Sequence, residues 1–138
     1  MIKITAESVR AGLLALVKQE GGDFIYTPKP PTDDEEGQIN ARCVYVHQGK
    51  PDCIVGRFLH GQGVSLEVLT EADKYEFGGG LSAIELINRL RDGGVISMTP
   101  EAARALTTAQ YEQDQLSMWG VAVERALRYI PSPAGDLS

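Results

Sequence analysis

Apolar residues recur every three or four positions over most of this chain, and they alternate in one short central stretch. The first helical stripe is Val9, Leu13, Leu16 and Val17. Thr5 stands before it as an N-cap, Glu7 lies in the first turn where an acid suits the helix dipole, and Gly21-Gly22 supplies the stop. Phe24-Ile25-Tyr26 is a short β-prone run. The clearest strand signal is Arg42-Cys43-Val44-Tyr45-Val46-His47. Its alternation sets Cys43, Tyr45 and His47 on one face and Val44 and Val46 on the other. Gln48-Gly49-Lys50-Pro51 then turns the chain. Asp52 is placed to cap a helix that starts near Cys53, buries Ile54, Val55, Phe58 and Leu59, and closes at Gly61 and Gly63.

Further on, Ser65 opens a short helix over Leu66–Asp73, and Gly78-Gly79-Gly80 reads as a hinge. A helix runs from Ser82 through Arg91 with Ile84, Ile87 and Leu90 as its apolar positions. Thr99-Pro100-Glu101 combines a cap, a proline and an acid, and starts a helix that reaches about Leu116. Its end, Gln110-Tyr111-Glu112-Gln113-Asp114-Gln115, reads as solvated. Ser117 is expected to cap a last helix, with Trp119, Val123, Ala126, Leu127 and Ile130 as its core face.

These elements predict an α+β fold, mainly α, with about five helices packed around a small antiparallel two-stranded β element. The two strands are Phe24–Tyr26 and Arg42–His47. Between them, three prolines and four consecutive acids (Thr27-Pro28-Lys29-Pro30-Pro31-Thr32-Asp33-Asp34-Glu35-Glu36-Gly37) predict a mobile acidic loop over residues 27–40. One globular domain is expected over residues 1–130, followed by a frayed tail at 131–138.

Composition narrows the class. A hydrophobic fraction of 43% and a charged fraction of 23% are ordinary for a globular protein. A net charge of −6 disfavours nucleic acid, whose binders neutralise phosphates with a basic stripe. The N-terminus lacks a signal-peptide layout, and no apolar run approaches the roughly 18 residues of a membrane span. A cytoplasmic protein with reduced thiols and no membrane contact is therefore expected.

Both cysteines and both histidines fall between Cys43 and His60. A zinc site of Cys43, His47, Cys53 and His60 has the right ligand types. However, four strand steps part Cys43 from His47 by about 13 Å, too far for one tetrahedral ion. A nucleophile is the second option. Cys53 at a helix start gains thiolate character from the dipole, and His47 across the turn is a candidate base. Against it, Asp52 disfavours the thiolate, and buried cysteines commonly pack as small hydrophobes. The third option is helix-turn-helix, from the rhythm Ile54–Leu59, Gly63-Val64-Ser65, Leu66–Leu69. Its second helix carries Glu67, Glu71 and Asp73 where base reading needs Arg, Lys, Asn or Gln. No cofactor motif is present in the sequence.

Tyr45-Val46-His47-Gln48-Gly49-Lys50-Pro51-Asp52-Cys53-Ile54-Val55-Gly56, with Leu59-His60 and Gly63-Val64 after it, resembles a segment of small uncharacterised proteins of actinobacteria and their phages. Gln110, Gln113-Asp114 and Trp119-Gly120-Val121-Ala122-Val123 are similar to the C-terminal part of those proteins, so the likeness covers about residues 43–127. The resemblance implies a phage or host accessory protein, and it supplies no catalytic residues. The leading expectation is a non-enzymatic accessory protein that binds a host protein. The alternative is a small cysteine-dependent hydrolase using Cys53 with His47, and the third is a DNA-binding regulator. Homo-oligomerisation is left open.

Overall fold

A computed structural model describes residues 1–26, 45–47, 49–73 and 82–130. The predicted acidic loop, Cys43, the triple glycine and the C-terminal tail lie outside the described residues. The elements in chain order are β1 (Ile2–Ile4), α1 (Ala6–Glu20), β2 (Val46–His47), β3 (Lys50–Pro51) and α2 (Ile54–Gly61), then α3 (Leu66–Asp73), α4 (Ala83–Asp92), β4 (Ile96–Met98), α5 (Pro100–Asp114) and α6 (Trp119–Leu127). The protein is mainly helical with a small strand component.

Helices with a local start signal begin where expected. Thr5 and Ser8 form a reciprocal capping box at the head of α1, each side chain accepting the other's backbone N–H at 3.2 Å. Ser82 and Glu85 repeat the arrangement on α4. Thr99 caps α5 by accepting the Ala102 N–H, and Pro100 fills the first helical position, where no N–H is needed.

The β element differs from the expected antiparallel pair of Phe24–Tyr26 and Arg42–His47. Phe24–Tyr26 is not a strand. Instead β1 pairs with β4 in parallel, Ile2 opposite Ile96 and Ile4 opposite Met98. The only antiparallel ladder among the described residues is the short turn of β2 on β3, Val46 opposite Pro51 and His47 opposite Lys50. A parallel partner must be reached by a long crossover, here most of the chain, so no local turn signal announces it.

The core gathers Ile4, Val9 and Leu13 from the N-terminal part with Ile54, Val55, Phe58, Leu59, Leu86, Ile87, Leu90, Leu106 and Trp119. Helix α5 is central and packs against α1, α2, α4 and α6. On α4 the buried positions are Leu86, Ile87 and Leu90, while Ile84 is exposed. Gln110 and Gln113, read from sequence as solvated, are buried. They continue the stripe of Ala102, Leu106 and Ala109, so helical geometry turns them inward despite their amides.

Candidate functional site

The start of α2, where the sequence placed its strongest candidate, is built from distant parts of the chain. After the β2–β3 turn the Asp52 N–H donates to the Tyr45 carbonyl at 3.0 Å. Asp52 does not cap the helix. Its carboxylate instead accepts the Tyr26 hydroxyl, and its carbonyl accepts Arg57 Nε at 2.7 Å. The N-cap is Cys53, which makes no side-chain capping bond. The first helical N–H, that of Ile54, donates to Gln113 Oε1 of α5 at 2.8 Å. A buried amide side chain thus replaces the missing local cap and satisfies a donor that would otherwise be orphaned.

Arg57 ties this corner to two more elements. Its Nη1 lies 2.9 Å from Glu20 Oε2 at the end of α1. Its guanidinium carbon sits 5.0 Å from the centre of the Trp119 ring and 5.8 Å from that of Phe24. The two rings meet edge to face at 4.7 Å. Such cation–π contacts contribute about 0.5–2 kcal/mol each, more when desolvated.

The second distant cap lies at α6. Ser117 was expected to cap it, but its hydroxyl donates to Glu112 Oε1 at 3.0 Å, and Met118 is the N-cap with no side-chain bond. The Trp119 N–H donates to the Phe24 carbonyl and the Gly120 N–H to the Gly22 carbonyl, both at 2.8 Å. The close approach needs glycine at 120, since a Cβ there would lie 2.7 Å from the Gly22 oxygen.

Of the residues proposed from sequence as chemical groups, the structure describes the side chains of Cys53 and His60. Cys53 is wholly buried, whereas reactive thiols sit in partly exposed, electropositive settings. His47 has its backbone in β2 opposite Lys50, and its side chain lies outside the described residues, as does Cys43. His60 is exposed in the last turn of α2, with Nδ1 3.1 Å from the Val64 carbonyl oxygen. A carbonyl only accepts, so Nδ1 carries the proton of that bond. Cys53 and His60 therefore occupy opposite environments, one in the core and one in solvent. Among the described residues no three His, Cys, Asp or Glu side chains gather as a metal site.

Helices α2 and α3 follow one another through a tight turn, with Leu59 and Leu69 both buried. The exposed residues of α3 include Glu67 and Glu71, carboxylates where a groove reader presents donors. A groove of about 510 Å³ also opens between α1 and α2, lined by Leu16, Gln19, Arg57, Phe58, His60 and Gln62 among others.

Gln113, Arg57, Glu20 and Tyr26 organise this region and were not singled out by sequence reasoning. For Gln113 the available signal was its register with the apolar stripe of α5. Beside it, burial raises the Asp114 carboxyl above its ordinary value, while amide hydrogen bonds from Gln113 (3.3 Å) and Gln110 (3.5 Å) pull it back. Because its pKa is higher in the folded chain than in the unfolded one, folding favours the protonated acid. That stabilisation is present below the unfolded carboxyl pKa and disappears as pH rises through the folded one. Asp114→Asn keeps an acceptor for both amides without the desolvated charge. It is expected to raise the melting temperature slightly at neutral pH, with the gain vanishing in acid. A gain that is equal at both pH values would refute the charge argument.

No helix among the described residues is long and apolar enough to cross a membrane. Comparison with protein-family models, curated proteins and solved structures gives no match to this chain.

Proposed function

We propose that this chain is a non-enzymatic accessory protein that acts by binding a host protein. One observation carries the reading: Asp52, Cys53 and Arg57 of the central stretch are engaged by the fold. Asp52 holds Tyr26, Arg57 holds Glu20 and the Asp52 carbonyl, Gln113 caps α2, and the Cys53 thiol is enclosed. Freeing such a group would leave its partner unsatisfied, which costs about 1–3 kcal/mol where the partner is buried. What this surface offers a partner is shape and apolar contact, with side chains such as Ile25, Tyr111, Leu116 and Met118 exposed. The resemblance to small phage and actinobacterial proteins supports a host partner.

The test is affinity capture from actinobacterial lysate with the intact chain, followed by reconstitution with the purified captured protein. A single stoichiometric complex is expected. Recovery of nothing beyond the background of an unrelated acidic protein would end the reading. In the same preparation, the Cys53 thiol should react with a thiol reagent only as fast as the protein opens. Rapid native-state labelling with a depressed pKa would instead support the hydrolase alternative.

A further inference from the structure

The turn between α5 and α6 breaks two rules of folding economy at once. Leu116 has φ 65°, the only positive value at a non-glycine among the described residues. A left-handed backbone costs an L-residue with a Cβ about 1 kcal/mol, which is why glycine or asparagine usually stands at such a helix end. The same leucine is 56% exposed. Glycine here would remove the strain and the exposed apolar surface together.

It does not stand alone. Met118 is 41% exposed two residues later, and Ile25 is 48% exposed. The Trp119 N–H bond to the Phe24 carbonyl joins the two segments that carry Met118 and Ile25. The patch is held rigidly. Leu116 N–H donates to the Gln113 carbonyl at 2.9 Å, Ser117 N–H to the Glu112 carbonyl at 3.1 Å, and the Ser117 hydroxyl to the Glu112 carboxylate. A preformed apolar surface loses little ordering entropy when a partner docks.

Charge indicates the partner's character. Asp23 lies between the two carbonyls that cap α6 and is exposed, and Asp114, two residues before Leu116, has a partly desolvated carboxylate that accepts the Gln110 and Gln113 amides. Among the described residues the nearby cations are paired: Arg125 lies 2.7 Å from Glu112, and Arg57, over the Trp119 ring, 2.9 Å from Glu20. The whole chain carries a net charge of −6. Acids flanking apolar side chains favour a positively charged partner and repel an acidic one, including a second copy of this chain.

We propose that Ile25, Leu116 and Met118 form a docking surface for a basic segment of the partner protein that carries apolar anchors. The proposal rests on the protein-binding reading above and assigns it a surface and a partner chemistry. The probe is a synthetic amphipathic peptide of leucine and lysine, set against its leucine and glutamate counterpart, titrated into the full chain with backbone amide shifts recorded. The lysine peptide should bind and shift the amides of residues 23–25 and 115–119, and the glutamate peptide should not. Leu116→Gly should weaken binding about tenfold while leaving thermal stability unchanged or raised, and Met118→Ser should weaken it similarly.

Shifts that map elsewhere, or variants that bind as tightly as the parent chain, overturn the surface. A Leu116→Gly chain that melts lower overturns the strain argument. A parent dimer that Leu116→Gly dissociates assigns the patch to self-association and overturns the basic partner. Lysate capture separates the two readings. If the parent chain and both variants recover the same host protein equally, this surface falls and the binding function stands. If the parent chain recovers nothing, the binding function itself falls.

Discussion

Gly56→Ala is expected to be the most damaging small substitution in the chain, lowering stability by about 3 kcal/mol or preventing folding. A Cβ at this position of α2 would lie 2.3 Å from the Tyr45 carbonyl oxygen and 3.0 Å from both its carbonyl carbon and its Cα. Every one of those atoms is backbone, so no rotamer change relieves the overlap, and α2 must move away from the turn that precedes it. That movement strains the Asp52 N–H bond to the same Tyr45 carbonyl and, through Asp52, the contacts to Tyr26 and Arg57. Gly61→Ala is the control. It lies on the same helix, is exposed, and a Cβ there meets nothing within 4 Å. Alanine at 61 should be neutral or stabilising by up to about 1 kcal/mol from helix propensity. Urea unfolding of the two variants gives the comparison, and equal midpoints would show that α2 does not approach Tyr45 as closely as described.

Gln113→Ala is the second large effect, with an expected loss of about 3 kcal/mol. Two causes contribute. The Ile54 N–H loses its acceptor inside the core, which costs about 1–3 kcal/mol, and removing most of a buried side chain leaves a cavity between α5 and α2. Gln113→Leu separates them, because it fills space without an acceptor. It should retain part of the deficit, and the Ile54 amide should exchange hydrogen faster in both variants. If Gln113→Leu were as stable as the parent chain, the amide would be packing material and not the cap of α2.

The parts of the fold legible in sequence share a physical property: their signals are local. Thr5 with Ser8, Ser82 with Glu85, and Thr99 with Pro100 each satisfy a helix start within a few residues, so reading along the chain finds α1, α4 and α5. The helical stripe of α2 was equally readable, and so was the position of Cys53 at its start. Whether that thiol meets solvent was not, because exposure depends on what other elements bring over it.

The central stretch around Cys53 shows the same boundary within one site. By itself the sequence determined that a strand-like run leads through a Gly-Lys-Pro turn into a helix with Cys53 at its head. It also determined that Ile54, Val55, Phe58 and Leu59 face inward, since helical periodicity is a property of neighbouring residues. Tertiary structure decided the rest. It withdrew Asp52 from the cap and gave it to Tyr26, brought Gln113 from 59 positions away to the Ile54 N–H, and capped α6 with the carbonyls of Gly22 and Phe24. It also paired Ile2–Ile4 with Ile96–Met98 in parallel. The capping choices give buried backbone donors the acceptors that their local sequence does not supply. Which acceptor is nearest depends on three-dimensional packing, and local sequence does not encode that proximity.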